Sequence, residues 1–325
     1  MPKFAAKDLI KFPNALYFVS IFLILLLVAV YLIYEFHRQL TISAKQQYIG
    51  LISANLISTD QSIDELLNTL NVGQSSYDKI LGSKDASGTF NYNIIVGNNQ
   101  KSLNQIELLK DNLNFQKNLQ ENAKTPGEYR GLENGFNNYY TESTEFLEKL
   151  EQNYEYENGL LKNLSQISVG SDISQKDLWQ TNDKELILNY FTNLKSGIAS
   201  SLEKLSQFKT PQKYEEYYNL HLSYLQLLTS AAEEIVSLLE EEELIQDSES
   251  PGSIEVAYKV ATEAQNEINL LMPKLVEERE RIFKLKETLA DVEKLANIQQ
   301  NLEGEIKNLY QLLYAQSSSK YSFGF

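Results

Sequence analysis

The sequence predicts an all-α protein, with an N-terminal transmembrane helix followed by an elongated helical bundle built around two helical-hairpin repeats. Three observations predict it. Ala15–Tyr34 reads ALYFVSIFLILLLVAVYLIY, an apolar run interrupted only by Ser20 and the tyrosine hydroxyls. Beyond that run, apolar residues recur at three-four spacing almost throughout. The hexapeptide KTPGEY at Lys124–Tyr129 returns as KTPQKY at Lys209–Tyr214, a step of 85 residues.

Bulk composition narrows the partners. The 325 residues are 42% hydrophobic and 22% charged, as in an ordinary globular chain, and the net charge is −15. An acidic balance lacks the clustered Lys and Arg that neutralise phosphates, so nucleic acid is excluded as a partner. Docking by a basic patch on anionic lipid is excluded on the same ground. With no Cys in the sequence, disulfides, thiolate metal sites and Cys nucleophiles are excluded too.

The first element is the apolar run. About 20 residues at 1.5 Å each cover the roughly 30 Å hydrocarbon layer, which makes residues 15–38 a transmembrane anchor. Tyr17, Tyr31 and Tyr34 fall near its ends, where amphipathic rings favour the interface. A cleaved signal peptide is the competing reading, but the run is too long for its apolar region. The following YEFHRQL also lacks a small-x-small cleavage site. Lys3, Lys7 and Lys11 precede the run, against Arg38 and Lys45 after it. The positive-inside rule therefore places residues 1–14 as a short cytoplasmic tail and the bulk of the chain outside the cytoplasm.

Helical patterns then run over 39–70, 99–121, 126–165, 183–207, 211–246, 253–272 and 274–315. Residues 39–98 hold membrane-proximal helices and a loop, and the breaks at 82–99, 168–174 and 247–253 carry Gly, Ser, Asn and Asp. FNYNIIV inside the first break hints at one short strand, too little for a sheet.

Thr followed by Pro is a helix start, because the Thr hydroxyl can accept an orphan N–H and Pro loses nothing at the first helical position. Glu128, three residues after Thr125, completes a capping box, whereas the second copy has Lys213 there. The likeness extends outward at the same offset. Leu103, Ile106, Leu109 and Leu113 shift onto Leu188, Phe191, Leu194 and Ile198, and Tyr129, Leu132, Phe136 and Tyr139 onto Tyr214, Tyr217, His221 and Tyr224. Residues 99–167 and 175–247 are thus expected to be two hairpins that pack together, since neither buries both its stripes alone.

Residues 253–315 read as coiled-coil-like helices. Leu275, Ile282, Leu289 and Ala296 recur every seven residues, with Leu285, Val292, Ile306 and Leu313 near the alternate seam positions. Glu278, Gln299 and Glu303 interrupt the seam, so packing into the same bundle is the plainer reading, with oligomerisation through these helices as the other. Glu277–Arg281 and Glu280–Lys284 are spaced as i,i+4 ion pairs. The 316–325 tail ends in KYSFGF, which suits a disordered tail or a short peptide docking into a partner.

No reaction emerges. His37 and His221 are far apart, and without Cys they offer neither a metal constellation nor a catalytic triad. His221 stands on the apolar stripe where the first copy has Phe136, which makes it a core or rim histidine. The Glu240–Glu243 run reads as a solvated helix end, and no EF-hand loop is present. Catalytic, cofactor and metal residues are therefore assigned as none, and the chain is read as non-enzymatic. Tyr is frequent, at 20 of 325 residues. Tyr139, Tyr140, Tyr217, Tyr218 and Tyr224 are the candidate partner-binding face, against the plainer role of rings at the edge of a narrow bundle.

These readings converge on a single-pass, membrane-anchored scaffold or adaptor in the cell envelope, with protein partners there. Two alternatives stand beside it: an extracytoplasmic ligand-binding bundle signalling through a membrane partner, and a membrane-tethered cytoplasmic rod of spectrin-like form. No motif identifies a family.

Overall fold

A computed structural model describes residues 12–82, 92–123, 125–164, 175–241, 252–283 and 285–318, with side chains over 20–69, 92–123, 125–164, 177–241, 252–283 and 290–315. The fold is all-helical: among the described residues there are eight α-helices and no strand. They are α1 Phe12–Gly82, α2 Tyr92–Asn122, α3 Arg130–Leu164, α4 Gln175–Gln180, α5 Lys184–Ser206, α6 Glu215–Glu241, α7 Ser253–Phe283 and α8 Leu285–Ser318. Lys3, Lys7, Lys11, the 168–174 break, Glu242, Glu243, Lys284 and the KYSFGF tail lie outside the described residues.

The chain forms two compact units. The first takes Met1–Ile57, Asn118–Asn137 and Gln299–Phe325, and the second takes Ser58–Lys117 and Asn138–Ile298. In the first unit, α1 is long and apolar enough to cross a membrane, and its apolar stretch is unburied. Phe22 is 67% exposed and Phe36 63%, while Tyr48, Ile49, Ile52 and Leu56 further along the same helix are buried. α3 and α8 approach closely at Gly135, where a β-carbon would lie 2.7 Å from Leu302 Cδ2.

In the second unit, Asn99–Glu157 at 2.9 Å, Asn158–Gln100 at 3.3 Å and Lys110–Glu151 at 2.6 Å fix α2 antiparallel to α3. α6 packs against both α5 and α7. Lys195, the counterpart of Lys110 at the 85-residue offset, reaches Glu233 across the α5–α6 pair at 3.5 Å. Asn182, with φ 51°, makes the turn before α5, and Asp183 caps that helix by accepting from Leu186 N at 3.1 Å.

The two KTP sites start their helices alike. Each proline is followed by one 3₁₀ turn, closed by Tyr129 N to Pro126 O at 2.8 Å and by Tyr214 N to Pro211 O at 2.9 Å. α3 and α6 then begin 85 residues apart. The four upstream and four downstream pairs agree in burial: Leu103 and Leu188 are half-buried, and every other member is buried.

Five expectations are corrected. The capping box does not form, because Thr125 donates to Tyr48 Oη at 3.2 Å and Glu128 pairs with Lys45. The 3₁₀ turn has Pro126 as its N-cap, at φ −58° and ψ 136°, so Thr125 stands one residue too early to cap it. Thr210 is engaged likewise, accepting from Tyr156 Oη at 3.4 Å. FNYNIIV supplies no strand among its described residues, since Tyr92–Val96 open α2. Tyr92, Ile95, Asn99, Ser102, Ile106, Leu109 and Leu113 form one buried stripe whose two polar members hid the helical period.

Pro273 lies inside α7 instead of ending a helix at residue 272. Ile268, Met272, Leu275, Arg279 and Ile282 are buried on both sides of it, and that packing outweighs the lost backbone hydrogen bond. Ala296 is exposed; Ile306 and Leu313 are buried as expected, but the other buried α8 positions are Leu295 and Leu302, because α7 has already ended and its heptad frame does not carry over. Arg281 pairs with Glu278, one turn away, and not with Glu277.

Candidate functional site

The densest chemistry lies inside the second unit, where four helices each send one polar side chain to a common point. Glu157 of α3 is buried. Its Oε1 accepts from Arg279 Nε at 2.6 Å and from Tyr217 Oη at 2.9 Å. Its Oε2 accepts from Arg279 Nη2 at 3.0 Å and from Asn99 Nδ2 at 2.9 Å. The Arg279 guanidinium rests 4.5 Å from the Phe283 ring centre, and that ring packs on Tyr154 at 4.7 Å. The bidentate fork suits the planar guanidinium, and the four donors occupy the lone pairs of the carboxylate.

A second polar knot adjoins it in sequence. Asn153 Oδ1 accepts from Lys213 Nζ at 2.6 Å and from Tyr214 Oη at 2.9 Å. The Tyr214 ring stacks on Tyr156 at 3.8 Å with an interplanar angle of 6°. Burial pushes the Tyr154 and Tyr156 hydroxyls up to about 12 and raises Tyr139 as well, so these phenols stay protonated donors.

His221, one turn beyond Tyr217, is 1% exposed, and neither ring nitrogen has a protein hydrogen-bond partner. Tyr217 stands edge-on to it at 4.7 Å, and Tyr92 lies at 6.0 Å. Desolvation lowers its pKa to about 3, which keeps the imidazole neutral. It fills the place of a core ring, as its position opposite Phe136 in the 85-residue alignment predicts.

The arrangement is built to hold helices together. General acid catalysis needs a proton that can reach a substrate, whereas Glu157 is enclosed and holds its four donors. Among the described residues, no three His, Asp or Glu side chains converge as a metal site would require.

The five tyrosines expected to form a partner-binding face are placed mostly inward. Tyr139, Tyr140, Tyr217 and Tyr224 are buried, and Tyr218 is half-buried, donating to Leu205 O at 2.9 Å. The four buried rings fill the interior because they fall on the core stripes of α3 and α6, and an accessible face would need them outside. Tyr217 joins the acid–base cluster, through its hydroxyl on Glu157. Glu157 and Arg279 were missed because they are 122 residues apart and unremarkable among the many charges. A usable signal existed: Arg279 occupies an apolar-stripe position between Leu275 and Ile282.

Comparison with protein-family models, with curated proteins and with solved structures returns no match to this chain.

Proposed function

We propose that the chain is a single-pass membrane protein whose helical bundle is a non-enzymatic scaffold or adaptor for protein partners in the cell envelope. Its N-terminus lies in the cytoplasm and its bulk outside. One observation carries the reading: α1 leaves the large apolar side chains from Ile21 to Phe36 exposed and then buries Tyr48, Ile49, Ile52 and Leu56 in the folded part. A continuous helix of this kind joins a lipid-facing segment to a packed one without a flexible linker. The hairpins 99–167 and 175–247 are read as copies of one unit, supported by the matched helix starts and the matched burial at the 85-residue offset. The Glu157 cluster and the stacked tyrosines give the bundle a fixed shape, which suits a surface that positions other molecules.

The test is photo-crosslinking of the full chain in its own membranes. The scaffold reading expects discrete products with envelope proteins or polymers, and an absence of any product across the exposed faces of α2 and α6 overturns it. Reporters active only in the periplasm or only in the cytoplasm, fused after residue 325, test the orientation.

A further inference from the structure

Inside the first unit, α8 runs back along α1. The Tyr310 hydroxyl is 3.8 Å from where a β-carbon would stand on Gly50. One turn earlier on α1, Gln46 shares an open groove with Tyr310, Gln311, Leu313 and Tyr314. Leu313 is buried at its floor, whereas Tyr310 and Tyr314 are 42% and 75% exposed, and Gln46 and Gln311 are exposed too. Successive residues of a helix stand about 100° apart. Leu312, 59% exposed, therefore leaves α8 on nearly the opposite flank from Tyr310 and Tyr314.

The groove is uncharged in a strongly charged chain. The net charge is −15, yet no charged residue stands on α1 between Lys45 and Asp60, or on α8 between Lys307 and Ser318. A charged surface repels its own copy, and this one does not. Its exposed side chains go further. Beside a two-fold axis a residue meets itself, so its chemistry has to be self-complementary. The Tyr hydroxyl and the Gln amide each carry a donor and an acceptor, and the four exposed residues of the groove are all of these two types.

We propose that this groove is the contact by which two copies of the chain associate in one membrane. Tyr310, Gln311 and Tyr314 of one copy pack on the same residues of the other, about a two-fold axis along the membrane normal. The inference rests on the membrane-spanning reading of α1, because a shared span gives both copies one orientation and sets their grooves at one height. The exposed parts of Tyr310 and Tyr314 amount to roughly 300 Å² per copy, against roughly 800 Å² per partner in a standard soluble interface. Confinement to one membrane raises the effective concentration of the second copy, so the smaller contact holds there.

The chain has no cysteine, so one introduced cysteine can form a disulfide only with its own copy. The full chain is reconstituted in phosphatidylcholine vesicles with Gln311→Cys or, on the far flank of the same helix, Leu312→Cys, and disulfide-linked dimer is followed under mild oxidation. Gln311→Cys should cross-link faster than Leu312→Cys by about tenfold or more. Adding Tyr314→Lys to Gln311→Cys sets like charges across the axis and should slow the cross-link by about tenfold or more, as should Tyr314→Glu. An equal mixture of the Tyr314→Lys and Tyr314→Glu chains should recover the rate, because opposite charges then meet. A Gln311→Cys chain no faster than Leu312→Cys reports random collision and overturns the proposal, and so does a mixture that stays slow. Carbonate extraction of the same vesicles reads the span separately. A retained chain whose Gln311→Cys form stays slow loses the contact and keeps the span, whereas a released chain loses both.

Discussion

At the scale of single residues, two buried groups carry opposite burdens. His221 is held neutral by desolvation, with its pKa lowered from 6.5 to about 3. The unfolded chain takes up a proton near pH 6.5 and the folded chain does not, so stability falls as the pH drops from about 6.5 towards 3. At about 1.4 kcal/mol per pH unit, this group alone removes about 2 kcal/mol by pH 5. His221→Phe, which copies Phe136, should lose that component. Thermal unfolding of the full chain in neutral detergent at pH 7.5 and pH 5 checks it, and an equal loss of stability in both proteins would refute it. Glu157 and Arg279 are satisfied only by each other and their neighbours. Arg279→Met strands a buried carboxylate and should destabilise by about 3–5 kcal/mol. Adding Glu157→Gln should restore much of the loss, because the neutral amide removes the stranded charge, its oxygen can still accept from Asn99 and its NH2 can donate to the Tyr217 hydroxyl oxygen. Denaturant midpoints of the two variants compare these outcomes.

At the scale of helices, sequence periodicity located most elements and failed where polar residues or proline stood on a stripe. The α5 boundaries, Lys184–Ser206, lie within a residue of the pattern, because Asp183 is a side-chain cap that the sequence displays. The start of α2 was hidden by Asn99 and Ser102, which are buried because Glu157 and the backbone supply their partners. Glu157 comes from elsewhere in the fold, so a local window cannot weigh it as a partner for Asn99. Pro273 misled for the converse reason: its local cost is real, but the apolar side chains flanking it bind α7 across the proline. Pro273 is exposed, so Pro273→Ala loses little packing and regains a backbone hydrogen bond. It should stabilise the protein by up to about 3 kcal/mol, read as a higher unfolding midpoint. A lower midpoint would mean that the proline itself positions the two halves of α7. The candidate cluster was the least legible feature, since it joins α2, α3, α6 and α7 and its residues have no spacing in common.

At the scale of the whole chain, the functional reading depends on how α1 partitions its surface. Its first part exposes apolar side chains that water would not tolerate in a row, and its later part contributes a conventional buried stripe. The apolar run was legible because about 20 consecutive apolar residues stand out in any sequence, and α1 is long and apolar enough there to cross a membrane. Tyr139, Tyr140, Tyr217 and Tyr224 are buried, a placement that composition does not show, because it cannot tell a ring on the core stripe from one on the outer face. The measurement that tests the membrane-spanning role of α1 most directly is alkaline carbonate extraction of membranes containing the full chain, beside a variant lacking residues 15–34. The full chain should stay in the membrane pellet, and the variant should be released to the supernatant. Release of the full chain would contradict a helix that crosses the bilayer.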